Sequence, residues 1–248
     1  MGDRFGTVAA AYAEHRPGYA AEAVRWAIAV APGSRVLDLG AGTGKLTAAL
    51  VDVGAQVTAV EPDPAMRAEL CRALPGVRAV AGNAESIPLP DASVEAVLAG
   101  NAMHWFDMST AGPEIVRVLT PGGVLAGLWN VMDDRVPWVA ALARVSGGAA
   151  IGPRDTLSTW PAGHLPATAT GFAPPETAAF PHGQRRTADS LVATLATRAG
   201  MLVMPAGDRE AALGRIRAFL ASRPETADGE FTLPMLTGVL RFRADPDR

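Results

Sequence analysis

The sequence predicts a doubly wound α/β fold, a parallel sheet with helices on both faces. Two observations carry that expectation. Short apolar, β-rich runs alternate with helix-forming segments from residue 35 to residue 130. The first of these runs passes directly into a glycine cluster that opens a helix. Hydrophobic residues make up 49% of the 248-residue chain and charged residues 19%, enough apolar material for one full core. With a single cysteine, Cys71, no intrachain disulfide can form, so packing must hold the fold.

Taken in order, residues 35–41 (RVLDLGA) read as a buried strand ending at glycines. Residues 44–53 read as a helix closed by Gly54. Residues 56–61 form a second strand, and Pro64 suits the first turn of a helix through about residue 73. Further strands are expected at 77–82 and 94–100, then a helix at 112–119. A Pro121-Gly122-Gly123 turn and a strand at 124–130 follow. Strands separated by helices call for right-handed crossovers and hence a parallel sheet. Beyond residue 131 the pattern weakens: helices are expected near 136–146, 187–199 and 208–222, and a β-rich segment at 229–242. Residues 147–175 hold no clear period, and a stretch that long suits a lid or cap. The expected organisation is one domain, with an N-terminal cap helix in about 1–30, a core in 31–131 and a sheet-completing part in 132–248.

The formal charge is −3, and the longest basic cluster is the pair Arg185–Arg186, so nucleic acid and anionic membrane are poor partners. No apolar run reaches the roughly 18 residues of a membrane span. The first residues lack a signal-peptide core, which makes a cytoplasmic setting the default expectation. Four scattered histidines and one cysteine show no metal-ligand spacing, so no metal is expected.

The strongest motif is VLDLGAGTGKLT at 36–47. Gly40, Gly42 and Gly44 alternate between a strand and a helix, where the absence of Cβ lets backbone approach a ligand. Free N–H groups at the helix start add to such a site. A dinucleotide fingerprint wants its third glycine one position later, where Lys45 stands. A P-loop wants Gly and Ser or Thr where Leu39 and Leu46 stand. What remains is a nucleoside site or a tight turn without a ligand. Glu61 ends the second strand roughly 20 residues on, placed to accept hydrogen bonds from ribose hydroxyls.

The loop, Glu61 in AVEPDPAM, the segment GNAESIPLPDAS at 82–93, AGNAMHWFD at 99–107 and the Pro-Gly-Gly turn together resemble the class I S-adenosylmethionine-dependent methyltransferases. They resemble in particular the type-11 small-molecule group and its branch related to trans-aconitate methyltransferase, whose Tyr, Arg-Pro and Tyr spacing is matched by Tyr12, Arg16-Pro17 and Tyr19. Membership implies a Rossmann-like, seven-stranded, mostly parallel sheet with an antiparallel last hairpin, the seventh strand lying beside the fifth. Segments at about 176–182 and 229–242 would supply the sixth and seventh strands.

The resemblance implies S-adenosylmethionine as cofactor and a small-molecule acceptor, with O-methylation favoured. Asp38, Gly40, Ala41 and Gly42 would hold the methionine end, and Glu61 with Pro62 the ribose. Asn83, Ala84 and Glu85 would surround adenine, although the family usually has Asp where Asn83 stands. Asn101 would offer its backbone carbonyl to the cofactor ammonium, while Tyr12, Arg16 and Tyr19 would close over the cofactor. Asp38 reads equally as a structural acid that pins the loop.

His104 follows the fourth strand and is the candidate general base; alternatively it orients the substrate or packs beside Trp105. Trp105, Trp129 and Trp138 are candidate substrate contacts, with ordinary core burial the competing reading. Two other functions share these motifs: a cofactor-dependent cyclisation or rearrangement without methyl transfer, and a binding module without catalysis. Residues 1–20 and 147–175 are expected to order as a lid when ligands bind.

Overall fold

The computed structural model describes residues 18–152, 155–156 and 172–244. Seven strands form one sheet: β1 (Arg35–Leu39), β2 (Gln56–Val60), β3 (Arg78–Val80), β4 (Val94–Gly100), β5 (Leu119–Met132), β6 (Glu176–Thr187) and β7 (Glu230–Arg243). The helices are α1 (Ala21–Ile28), α2 (Lys45–Asp52), α3 (Pro64–Ala73), α4 (Met108–Val118), α5 (Pro137–Ser146), α6 (Ala188–Ala196), α7 (Ala199–Leu202) and α8 (Ala206–Ala221). A 3-10 turn, Met103–Trp105, links β4 to α4.

Strand order is β3-β2-β1-β4-β5-β7-β6. The first five strands in this order run parallel, and β7 lies antiparallel between β5 and β6. The sheet expected from the sequence is therefore the sheet observed, including the seventh strand beside the fifth.

Side-chain alternation explains the two layers of helix. On one face, Val36, Ala96, Leu98, Val124, Ala126 and Leu128 pack with Val24 and Ala27 of α1 and Leu46 and Leu50 of α2. On the other, Leu37, Leu39, Val97, Ala99, Leu125 and Trp129 pack with Ile115 and Val118 of α4. Because the side-chain period is two, a strand apolar on both parities must be covered on both faces. A third cluster joins α5, α6 and α8 to the far end of β7 through Trp138, Leu142, Leu191, Leu195, Ile216 and Phe231.

Three elements differ from the sequence expectation. Helix α4 starts at Met108, four residues before the expected start at 112, because Asp107 caps it by accepting from Ser109 N at 3.0 Å. Gly112-Pro113 looks like a break but lies inside the helix. Residues Pro121-Gly122-Gly123 form a bulge within β5: Leu119 pairs Val94 and Val124 pairs Ala96, so the intervening residues loop out. Strand β6 runs to Thr187, whose side chain caps α6 in a reciprocal box with Ser190. The lid expectation falls largely outside the described residues; of its segments, 18–20, 147–152, 155–156 and 172–175 are described.

Candidate functional site

The order of the sheet reverses between β1 and β4, and the loops leaving their carboxyl ends diverge there. A cavity of about 360 Å³ occupies this point. The glycine loop forms its floor. Gly40 and Ala41 both donate to Val60 O, at 2.9 and 3.1 Å, which fastens the loop to β2. Gly40 has φ 72, and a Cβ on it would sit 2.9 Å from Ala102 Cβ. Gly42 has φ 57 and nothing within 4 Å of where its Cβ would be, so its backbone lies bare in the cavity wall.

Two carboxylates stand beneath the loop. Asp38 is fully buried at the end of β1, and its Oδ2 accepts from Thr47 Oγ1 of α2 at 2.6 Å. Its Oδ1 is buried with no hydrogen-bond partner. Burial pushes this carboxyl up to about 7, the Thr47 hydroxyl opposes the shift, and the nearby Glu61 charge adds to it. Glu61 ends β2, where Oε2 accepts from Gly42 N at 2.8 Å and Oε1 from Asp63 N at 2.9 Å. Burial raises the Glu61 carboxyl, and the two backbone N–H bonds partly offset this.

The walls come from the loops after β3 and β4. Asn83, Ala84 and Glu85 line one side. Asn83 Oδ1 accepts from Ser86 N at 2.8 Å, which commits one lone pair of the expected adenine acceptor to its own turn. Glu85 Oε1 accepts from Asp107 N at 3.0 Å and ties this loop to the start of α4. Asn101 lines the opposite side with φ 52, in the left-handed region, held by its N–H to Leu128 O at 2.8 Å. A non-glycine residue in that region is costly and marks a place where the surroundings dictate the backbone.

Tyr19, Pro62 and Trp105 complete the lining among the sequence-selected residues; Trp105 is 59% exposed at the mouth. Tyr12 and Arg16 lie outside the described residues. The candidate substrate tryptophans divide. Trp129 is buried in the core beneath α4, and Trp138 stands edge-on to Phe231, 5.9 Å away, in the third cluster. Neither lines the cavity, which corrects the expectation for both. Both are taken up by apolar clusters, Trp129 with residues of α4 and Trp138 with residues of α8 and β7.

His104 does not line the cavity either; it sits just behind, with its ring 4.9 Å from that of Trp105. Trp129 Nε1 donates to His104 Nδ1 at 3.5 Å. An imidazole accepting at Nδ1 carries its neutral-state proton on Nε2, so that nitrogen donates rather than accepts. The sequence did not single out Lys45 or Met66, which also line the cavity, as does Phe106, an aromatic expected near its mouth. Lys45 and Met66 were findable, as first-turn residues of α2 and α3, both of which start at the carboxyl ends of strands.

Among the described residues no group of His, Cys, Asp and Glu is placed to hold a metal, and no helix is long and apolar enough to cross a membrane.

Comparison with known proteins agrees with this geometry. Residues 37–127 match the family described as a methyltransferase domain. An uncharacterized methyltransferase of Mycobacterium tuberculosis is 40% identical over 238 residues, spanning 96% of this chain and 94% of its own. The chain belongs to the S-adenosylmethionine-dependent methyltransferases. A solved structure from Anaeromyxobacter dehalogenans, assigned as a type II methyltransferase, superposes with TM-score 0.60 at 26% identity, covering 93% of this chain and 98% of its own. The cyclase SpnF shares the fold with TM-score 0.53 at 19% identity, covering 98% of this chain and 95% of its own.

S-adenosylmethionine is the methyltransferase's cofactor, and the cavity fits it on its own terms. The unpartnered Asp38 Oδ1 offers a buried acceptor for a cationic group. Bare backbone at Gly42 and an anionic Glu61 beside it provide the close approach and the hydroxyl acceptor that a nucleoside requires.

Proposed function

We propose that this methyltransferase modifies a small, largely apolar acceptor, at oxygen in preference to nitrogen or carbon. The observation that carries the reading is the cavity itself. It is a nucleoside-sized space lined by Trp105 and Phe106 among others, and Lys45 is the one basic side chain among the described residues that line it, too few for a polyanion.

S-adenosylmethionine supplies an activated methyl group, so the chain's residues have alignment and drying to perform rather than bond activation. Asp38 and the loop from Gly40 to Gly42 hold the methionine end, with Asn101 presenting its carbonyl from a fixed left-handed backbone. Glu61 accepts from the ribose, with Pro62 beside it. Asn83, Ala84 and Glu85 enclose the base, and Tyr19 closes the side next to β4. His104 stands behind Trp105, with Nδ1 accepting from Trp129 Nε1, and orients the acceptor through its placement of Trp105. This favours the orienting role over the general base. An oxygen acceptor that is already a carboxylate needs no base at all.

The test is formation of S-adenosylhomocysteine with a panel of hydroxy and carboxy aromatics, set beside amine analogues. Turnover of oxygen acceptors alone supports the reading; turnover of amines alone refutes it. The cyclase-like alternative predicts cofactor binding with substrate conversion but no S-adenosylhomocysteine.

A further inference from the structure

Two polar side chains on the last strands reach one tripeptide far away in sequence, and a third backs them. Asn130 of β5 donates from Nδ2 to Gly18 O at 3.0 Å. Thr237 of β7, directly opposite Asn130 in the sheet, accepts from Ala20 N at 3.0 Å through Oγ1. The same hydroxyl donates to Asn130 Oδ1 at 2.8 Å, and His182 Nε2 of β6 stands 3.1 Å from that oxygen. Asn130 Oδ1 is an acceptor in the first contact, so His182 is the donor in the second. Thr237 is fully buried.

The residue between the two clasped backbone groups is Tyr19. Its side chain enters the cavity wall beside Gly100, the last residue of β4. A Cβ on Gly100 would lie 2.5 Å from Tyr19 Oη and 3.1 Å from Leu46 Cβ, so the ring fills the notch that the glycine leaves. Clasp and notch are separate features, on opposite sides of the same residue. Both fix Tyr19 at one place.

We infer that Asn130 and Thr237 are positioning residues for the methyltransferase. They hold the backbone on either side of Tyr19, so that its ring forms the wall of the cofactor site next to β4. His182 steadies Asn130 from the edge strand. The inference rests on the reading above that Tyr19 meets the cofactor.

Calorimetric dissociation constants for S-adenosylhomocysteine test it, measured for the wild type and for Thr237→Val, Thr237→Ser, Asn130→Ala and Tyr19→Ala. Valine keeps the shape of threonine and removes both hydrogen bonds of the hydroxyl. Thr237→Val is expected to weaken binding about tenfold, a factor equal to ~1.4 kcal/mol. Thr237→Ser should restore binding to within about twofold, since it keeps the hydroxyl. In a Tyr19→Ala background Thr237→Val should cause no further loss, a non-additivity that a merely structural role would not produce. If Thr237→Val does not fold, Asn130→Ala carries the same comparison with the same expected direction. If Tyr19→Ala weakens binding while Thr237→Val and Asn130→Ala leave it unchanged, the clasp is overturned and the cofactor reading of Tyr19 stands. If Tyr19→Ala leaves binding unchanged, that reading falls, and the positioning role falls with it.

Discussion

Replacing Asp38 with asparagine in the ligand-free methyltransferase should stabilise it at neutral pH and do little in acid. Asp38 is fully buried, one oxygen bonded to Thr47 and the other without a partner. Burial holds its carboxyl at about 7 in the folded chain, against an ordinary value of 3.8. Below pH 4 the group is protonated in both states and contributes equally. Between pH 4 and pH 7 the unfolded chain has released this proton while the folded chain retains it, so stability falls as pH rises. At 1.36 kcal/mol per pH unit the loss approaches about 4 kcal/mol at pH 8, a large share of a typical domain's stability. Asparagine keeps the shape and an acceptor for the Thr47 hydroxyl but never charges. Urea unfolding of both proteins at pH 4.5 and pH 8 gives the comparison. The stability difference between variant and wild type should grow by several kcal/mol in favour of the variant. A difference that stays constant to within about 1 kcal/mol would refute the assignment of a strained, buried carboxyl at this position.

Further outcomes follow from the same geometry. Glu61→Ala should weaken S-adenosylhomocysteine binding tens-fold or more, because charged acceptors contribute about 1.5–3 kcal/mol, whereas Asn83→Ala should cost less than about tenfold; calorimetry showing equal or reversed losses contradicts the ranking. Gly42→Ala should fold with a penalty of about 1–2 kcal/mol for its left-handed backbone and lose the cofactor, since the added methyl enters the cavity; a variant that binds normally places the ligand elsewhere. S-adenosylhomocysteine at about 100 times its dissociation constant should raise unfolding stability by about 2.7 kcal/mol, readable as a thermal shift. His104→Gln, which keeps a donor but cannot act as a base, should retain most activity on a hydroxyl acceptor; loss of several orders of magnitude there, with a carboxylate acceptor spared, would restore the base role.

Much of the nucleoside half of the molecule was legible from residues 35–130, because the local signals and the fold agree there. Val36 to Leu39, the three loop glycines, Glu61 and Pro64 each sit where their chemistry demands, and the boundaries of β1, α2, β2, α3 and β4 come within about two residues of expectation. The errors have separable causes. The expected start of α4 at 112 came too late because Asp107 caps the helix and Gly112-Pro113 lie inside it. Strand β6 looked short because Gln184, Arg185 and Arg186 are polar, which an edge strand tolerates. Trp129 looked like a pocket residue by its place near the end of β5, yet it shares the parity of Leu125 and Val131 and so faces the core under α4. That alternation was readable in the sequence. The clasp on Tyr19 was not, because Asn130 and Thr237 meet only through strand register, and register between distant strands leaves no local trace.

The central claim is that the cavity above Gly40–Gly42 holds S-adenosylmethionine against Glu61. Calorimetric titration of S-adenosylhomocysteine and NADH, each into the wild type and into Glu61→Ala, tests it most directly. The account predicts one S-adenosylhomocysteine site per chain in the wild type, a loss of tenfold or more in the variant, and no heat from NADH. Binding of NADH without S-adenosylhomocysteine, or equal affinity of wild type and variant, would contradict it.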